Sequence, residues 1–245
     1  MRKSDSSSAG RVQGIELIAI DLDGTLVDSV KDMHEAVIAM QAGLSLDASS
    51  EQQVRGWVGN GIERLVHRAL TGDMLKEAEP VLFEDALSGF KQAYAETIGR
   101  YSTLYPDVRE GLLWMASQDI PLVMVTNKAS FFANMLIEQL QIDQFFAHKI
   151  GGDDVAAAKP DPEALLLAAS LCKASAVNSV LIGDSIHDFK AARAAGFHSV
   201  GVSYGYNHGV PVRELDPSLA PGVVVDSFKE LPEVLQSLGD VWTTT

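Results

Sequence analysis

Gly14-Ile15-Glu16-Leu17-Ile18-Ala19-Ile20-Asp21-Leu22-Asp23-Gly24-Thr25 is a short apolar run that ends in two acids and a glycine. The run reads as a buried β-strand, being rich in isoleucine and leucine and bounded by a turn residue. Two carboxylates at a strand's end repel each other and lose solvation unless a cation or hydrogen bonds compensate, so the pair points to a metal-dependent site. Taken alone, the same residues also fit an acidic turn that Gly24 allows to bend.

Three later segments answer the first. Leu122-Val123-Met124-Val125 is a second buried-strand pattern and ends in Thr126-Asn127, a hydroxyl and an amide. Lys159-Pro160 follows the loop Gly151-Gly152-Asp153-Asp154, and Ser179-Val180-Leu181-Ile182 is a strand that ends in Gly183-Asp184-Ser185-Ile186-His187-Asp188. In a parallel α/β sheet, side chains at the carboxyl ends of strands converge on one crevice, however far apart they lie in sequence. The converging set is an aspartate pair, a hydroxyl, a lysine and a second aspartate pair.

The pattern between Asp28 and about Tyr101 is helical only. Ser29 is placed to cap a helix through Met33, Val37 and Met40, and Pro80 to Arg100 carries Val81, Phe83, Leu87, Phe90, Tyr94 and Ile98 with a helical period. After Pro106 strands and helices alternate again, with strands near His198–Val202 and Gly222–Val225, and Gly196 as a helix stop. This is the layout of an α/β core with helices inserted after its first strand, hinged near Ser29 and Ser102-Thr103-Leu104.

The 245 residues, 47% hydrophobic, suffice for a sizeable core, and 19 basic against 33 acidic side chains give a net charge of −14. Such a surface is repelled by nucleic acid and anionic membranes, so neither is an expected partner. Cys172 is the single cysteine, which excludes an internal disulfide; its apolar neighbours suggest a buried helical thiol and a reducing cytoplasm. Met1 to Gly10 is serine-rich and lacks the apolar segment of a signal peptide, and no run is long enough to span a bilayer.

Asp-Leu-Asp-Gly-Thr, Val125-Thr126-Asn127, Lys159-Pro160 and Gly-Asp-Ser-x-x-Asp, in this order, closely resemble the motifs of the haloacid dehalogenase superfamily of phosphatases. Within it the chain is most similar to the bacterial phosphoglycolate phosphatases, through Trp57-Val58-Gly59-Asn60-Gly61, Arg68-Ala69-Leu70, Tyr105-Pro106, Val125–Lys128, Ile150–Asp154 and Tyr204-Gly205-Tyr206-Asn207. Two positions depart from the pattern: Ile20 stands where many relatives carry phenylalanine, and Asp161 where close ones often have histidine, which bears on the charge around Lys159.

The resemblance implies an α/β fold, a doubly wound, mostly parallel Rossmann-like core (residues 14–28 and 104–245) with an inserted helical cap (29–103); the serine-rich stretch before it, residues 1–13, is expected to be a flexible tail. The resemblance also implies a Mg²⁺-dependent phosphate monoester hydrolase acting on a small phosphorylated metabolite. Asp21 would be the nucleophile that forms an aspartyl phosphate, and Asp23 would protonate the leaving oxygen and then take a proton from water. The carboxylates of Asp21 and Asp184 and the backbone carbonyl of Asp23 would hold Mg²⁺. Thr126 and the amide at Asn127 would bind phosphoryl oxygens beside the positive charge of Lys159. Asp188 would position Lys159 or a metal-bound water, a role compatible with a helix N-terminal charge, and His187 would be accessory or on the surface.

In the cap, Trp57, Asn60 and Gly61 are candidates for substrate specificity. Asn60 with Glu63 also resembles a capping box, and Trp57 equally suits cap packing. Lys128 fits either the cavity entrance or the surface. The substrate implied is 2-phosphoglycolate, released as glycolate and phosphate. The alternatives are a sugar phosphate, a nucleoside monophosphate, an isomerase similar to β-phosphoglucomutase, or a binding protein without catalysis, against which the full set Asp21, Asp23, Lys159 and Asp184 speaks.

Overall fold

Residues 12–242 are described in the structure, a computed structural model. The strands are β1 (Leu17–Ile20), β2 (Val27–Asp28), β3 (Thr103–Leu104), β4 (Leu122–Val125), β5 (His148–Ile150), β6 (Ser179–Gly183), β7 (His198–Val202) and β8 (Val223–Val225). Six of them form one sheet in the order β5-β4-β1-β6-β7-β8, every pairing parallel. From β1 the chain builds outward to β4 and β5, then crosses to build β6, β7 and β8 on the other side. Such a reversal opens a crevice at the carboxyl ends of the central strands.

The helices are α1 (Val30–Gly43), α2 (Glu51–Trp57), α3 (Gly61–Thr71), α4 (Pro80–Thr97), α5 (Val108–Ala116), α6 (Ser130–Gln139), α7 (Glu163–Cys172), α8 (Ile186–Ala195) and α9 (Leu231–Trp242). Because side chains alternate along a strand, β1 is buried on both faces. Leu17 and Ala19 pack with Val123, Leu165, Ala168 and Ala192 of one layer, while Ile18 and Ile20 pack with Leu112, Phe132 and Leu231 of the other.

Helices α1 to α4 stand between β2 and β3, with Met33, Val37 and Met40 of α1 facing Ala86, Phe90 and Tyr94 of α4 in the same hydrophobic cluster. The two linkers are tied together. β2 and β3 pair antiparallel, Val27 opposite Leu104 and Asp28 opposite Thr103. Next to them the buried Asp32 carboxylate accepts from the N–H groups of Gly99 (2.6 Å), Tyr101 (2.8 Å) and Ser102 (3.3 Å) and from the Ser102 hydroxyl. An Asp32→Ala substitution strands these donors, so we expect a loss of about 3 kcal/mol in urea unfolding. A loss below about 0.5 kcal/mol would mean that water replaces the carboxylate.

Several expectations are corrected. The tail assigned to residues 1–13 lies largely outside the described residues, but Val12 is buried and its N–H bonds Gln118 Oε1 at 3.1 Å. β5 was not foreseen: it is a three-residue edge strand in which only Ile150 is buried. Val81, in the first turn of α4, is exposed, and Cys172 is half-buried because it ends α7 beside the left-handed Lys173. Ser29 precedes α1 without capping it, its hydroxyl being turned to Asp23 instead. Among the described residues no helix is long and apolar enough to cross a membrane.

Candidate active site

The carboxyl ends of β1, β4 and β6 bring Asp21, Thr126 and Asp184 to one point. Asp21 extends β1, its N–H bonding the Ile182 carbonyl of β6 at 2.9 Å. Its Oδ1 accepts from Lys159 Nζ at 2.7 Å, and the same ammonium reaches Asp188 Oδ1 at 2.6 Å and the Val125 carbonyl at 2.7 Å. Asp188 serves two ends, since its other oxygen accepts from Ser185 N (3.1 Å) and Oγ (2.6 Å) and closes a capping box at the start of α8.

Asp184 is cradled by the segment after β7. Its Oδ2 accepts from the N–H groups of Tyr206 (2.6 Å) and Asn207 (3.4 Å), and a Cβ on Gly205 or on Gly24, whose φ is +89°, would collide with its carboxylate. The Tyr206 hydroxyl reaches back to the cap linker, donating to Asp28 Oδ1 and accepting from Ser29 N, each at 2.8 Å. One residue thus joins Asp184 to the root of the inserted helices. The sequence had marked Tyr204–Asn207 only as a resemblance; the glycine between two tyrosines was the trace of this close approach.

Asp21, Asp184 and Asp188 each offer an oxygen within 4.8 Å of the others, and all three are buried. Burial pushes the Asp184 carboxyl well above its usual range, reinforced by Asp21 and Asp188. Burial also pushes Asp21 up to about 7, with Lys159 opposing and Asp188 adding to the rise. Lys159, which burial alone would push down, is held above its usual value by Asp188 and Asp21. One ammonium is therefore set against three buried acids. That surplus of negative charge, carried on hard oxygen ligands, fits a divalent cation.

Asp23 faces a different partner. Lys128, whose side chain is only 2% exposed, places Nζ 3.0 Å from both Asp23 oxygens, and Ser29 Oγ donates to Oδ1 at 2.5 Å. The ammonium also lies 4.9 Å from the ring centroid of Tyr94, on cap helix α4. Lys128 is thus neither an entrance charge nor a surface residue. Its sequence context gave no sign of this, because its partners are remote along the chain. Burial would lower the Lys128 ammonium, but Asp23 and Tyr94 more than offset this and hold it above its usual range. Thr126 lines the cavity beside it, and the Asn127 side chain donates to the Lys159 carbonyl at 2.8 Å, which steadies the lysine loop.

The capping box expected of Asn60 and Glu63 is not formed. Gly59, Asn60 and Gly61 all have positive φ, at 117°, 66° and 85°, and this left-handed turn points the Asn60 side chain away from the helix N–H groups. Its Oδ1 instead accepts from Arg68 Nη2 and its Nδ2 meets His187 Nε2, each at 3.1 Å. Arg68, unassigned in the sequence, is buried and also donates to the carbonyls of Trp57 (2.5 Å) and Gly59 (3.0 Å). His187 is half-buried and meets both Asn60 of the inserted helices and His208, 3.3 Å away, so it belongs to the seam between cap and core and not to the surface.

Asp21, Asp23, Thr126, Asn127, Lys159, Asp184 and Asp188 line a single cavity roofed by Asn60 and Gly61. Trp57 is buried in the cap cluster and does not line it. A buried carboxylate, a second acid beside it, a lysine and an acidic cluster at the carboxyl edge of a parallel sheet are an arrangement suited to phosphoryl transfer. The chain belongs to the haloacid dehalogenase-like hydrolases, whose family model matches residues 15–196. It is 45% identical over 220 residues to the phosphoglycolate phosphatase of Nitrosococcus oceani, covering 90% of this chain and 96% of that one. It is 41% identical over 216 residues to that of Pseudomonas putida, covering 88% and 78%. Among solved structures, a predicted phosphoglycolate phosphatase from Haemophilus somnus 129PT superposes with a TM-score of 0.84 at 30% identity, covering 91% of this chain and 99% of that one.

Proposed function

We propose that this protein is a Mg²⁺-dependent phosphatase that converts 2-phosphoglycolate to glycolate and inorganic phosphate. The observation that carries the reading is Asp21, buried against Lys159 in a cavity that also holds a second acid paired with a second lysine. The names of the relatives above support the substrate.

In this reading residues 14–28 and 104–245 act as the catalytic core and 29–103 as a cap that excludes water during the reaction. The carboxylates of Asp21 and Asp184 and the Asp23 carbonyl would hold Mg²⁺, which supplies positive charge that offsets repulsion between nucleophile and phosphate. A bond forms from an Asp21 carboxylate oxygen to phosphorus, and the ester P–O bond breaks with its electron pair going to the glycolate oxygen. That oxygen takes a proton from Asp23. Water then attacks the aspartyl phosphate while Asp23 removes its proton, which frees phosphate and restores Asp21. Thr126 and the Asn127 amide hold phosphoryl oxygens, and Asp188 keeps Lys159 in place. Asn60 and Gly61 present the cap to the substrate, while Trp57 packs behind them.

Lys159→Ala removes positive charge from the transferring group, so catalytic efficiency should fall by about 2–4 kcal/mol of transition-state stabilisation in the folded variant. Unchanged efficiency would take Lys159 out of the reaction. The reading as a whole is tested by phosphate release from a panel at fixed Mg²⁺: 2-phosphoglycolate, sugar phosphates, nucleoside monophosphates and aryl phosphate. Highest efficiency with 2-phosphoglycolate is expected, and preference for a neutral sugar phosphate would replace the substrate.

A further inference from the structure

The cavity is lined by two buried lysines with different tasks. Lys159 is committed on the phosphoryl side, shared among Asp21, Asp188 and the Val125 carbonyl. Lys128 has both oxygens of Asp23 as its charged partner and the face of Tyr94 beside it. An ammonium buried this deeply is tolerable only when paired. Its charged partner is one carboxylate, for which a second carboxylate entering the cavity can substitute. A lysine that changes partner when an anionic substrate arrives stays paired throughout.

The substrate read above carries two anionic groups, and Thr126 and Lys159 answer only the phosphoryl group. Among the described residues lining the cavity, the other nitrogen bases are His187 and His208. Burial holds both imidazoles below their usual range, His208 at about 4, so they bring no charge near neutral pH. Arg68 is spent on the carbonyls of Trp57 and Gly59 and on Asn60. We propose that Lys128 binds the carboxylate of the substrate, exchanging its ion pair with Asp23 for one with the incoming anion. Asp23 is then left facing the ester oxygen with Ser29 as its remaining partner. The site thereby requires a carboxylate within a few bonds of the phosphate, since a neutral ester offers nothing to draw Lys128 away.

The inference rests on the 2-phosphoglycolate reading, and its test separates the two. Catalytic efficiencies for 2-phosphoglycolate and for ethyl phosphate, in which a methyl group replaces the carboxylate, are compared in wild type and in Lys128→Met. The ratio of the two efficiencies should fall roughly 10- to 100-fold in the variant, the range for losing a charged hydrogen bond. Lys128→Arg should restore part of it. Should the methionine variant not fold, Lys128→Gln carries the same comparison with the polarity kept and the charge removed. In an Asp21→Asn background, calorimetry should show the binding loss on replacing Lys128 with 2-phosphoglycolate and not with ethyl phosphate. A wild-type preference for 2-phosphoglycolate that survives replacement of Lys128, or an equal loss for both esters, would overturn the inference alone. A wild-type enzyme without that preference would overturn the substrate reading along with it.

Discussion

Asp21→Asn should abolish turnover, with a loss on the order of 10⁴-fold or more, the scale seen when a covalent nucleophile is removed. The fold should survive, because asparagine keeps the volume and an oxygen to accept from Lys159 Nζ, now 2.7 Å from Oδ1. It also removes one charge from three crowded, buried carboxylates, which favours the folded state before any cation is added. Multiple-turnover phosphate release together with a thermal melt checks both halves. A folded variant that turns over normally would remove Asp21 as the nucleophile.

Stripping divalent cations with a chelator should also eliminate turnover, and Asp184→Asn should raise the Mg²⁺ concentration needed to restore it. Binding can be read without activity, since a ligand that binds only the folded state stabilises it by about 2.7 kcal/mol at 100 times its dissociation constant. Added Mg²⁺ should therefore raise the melting temperature of the wild type and raise that of Asp184→Asn less at the same concentration. The asparagine can keep the bond from Tyr206 N, 2.6 Å from Oδ2 in the native residue, so a difference reports charge and not lost packing. Equal shifts in the two proteins would exclude Asp184 as a ligand.

The sheet was legible where strands are buried on both faces, because Leu17–Ile20, Leu122–Val125 and Ser179–Ile182 leave no polar alternation to confuse. The acids at their ends were legible for the same reason, since a charge abutting such a strand stands out. β5 was not, as a three-residue edge strand with exposed Lys149 carries no such pattern. Asn60 misled because its spacing to Glu63 is that of a capping box, whereas three successive positive φ angles decide where the side chain points. Lys128 was illegible for a different reason: its carboxylate partner lies 105 positions away, and only the closed crevice makes a charged residue after Asn127 into a buried one. The Asp32 clamp was hidden likewise, its donors being backbone amides that any residue could supply.

The pairing of Asp28 with Thr103 has a bearing on how such a chain diversifies. Opposed residues of an antiparallel pair sit only about 5 Å apart, so everything threaded between them leaves and rejoins the sheet through one doorway. A segment with that connectivity can be lengthened, shortened or exchanged for another without altering the strand order or the carboxyl ends that hold Asp21, Thr126 and Asp184. The side chains at the carboxyl ends of the strands and those that the inserted helices bring over them are then free to change on separate schedules, one set bound to the sheet and the other to whatever the doorway admits.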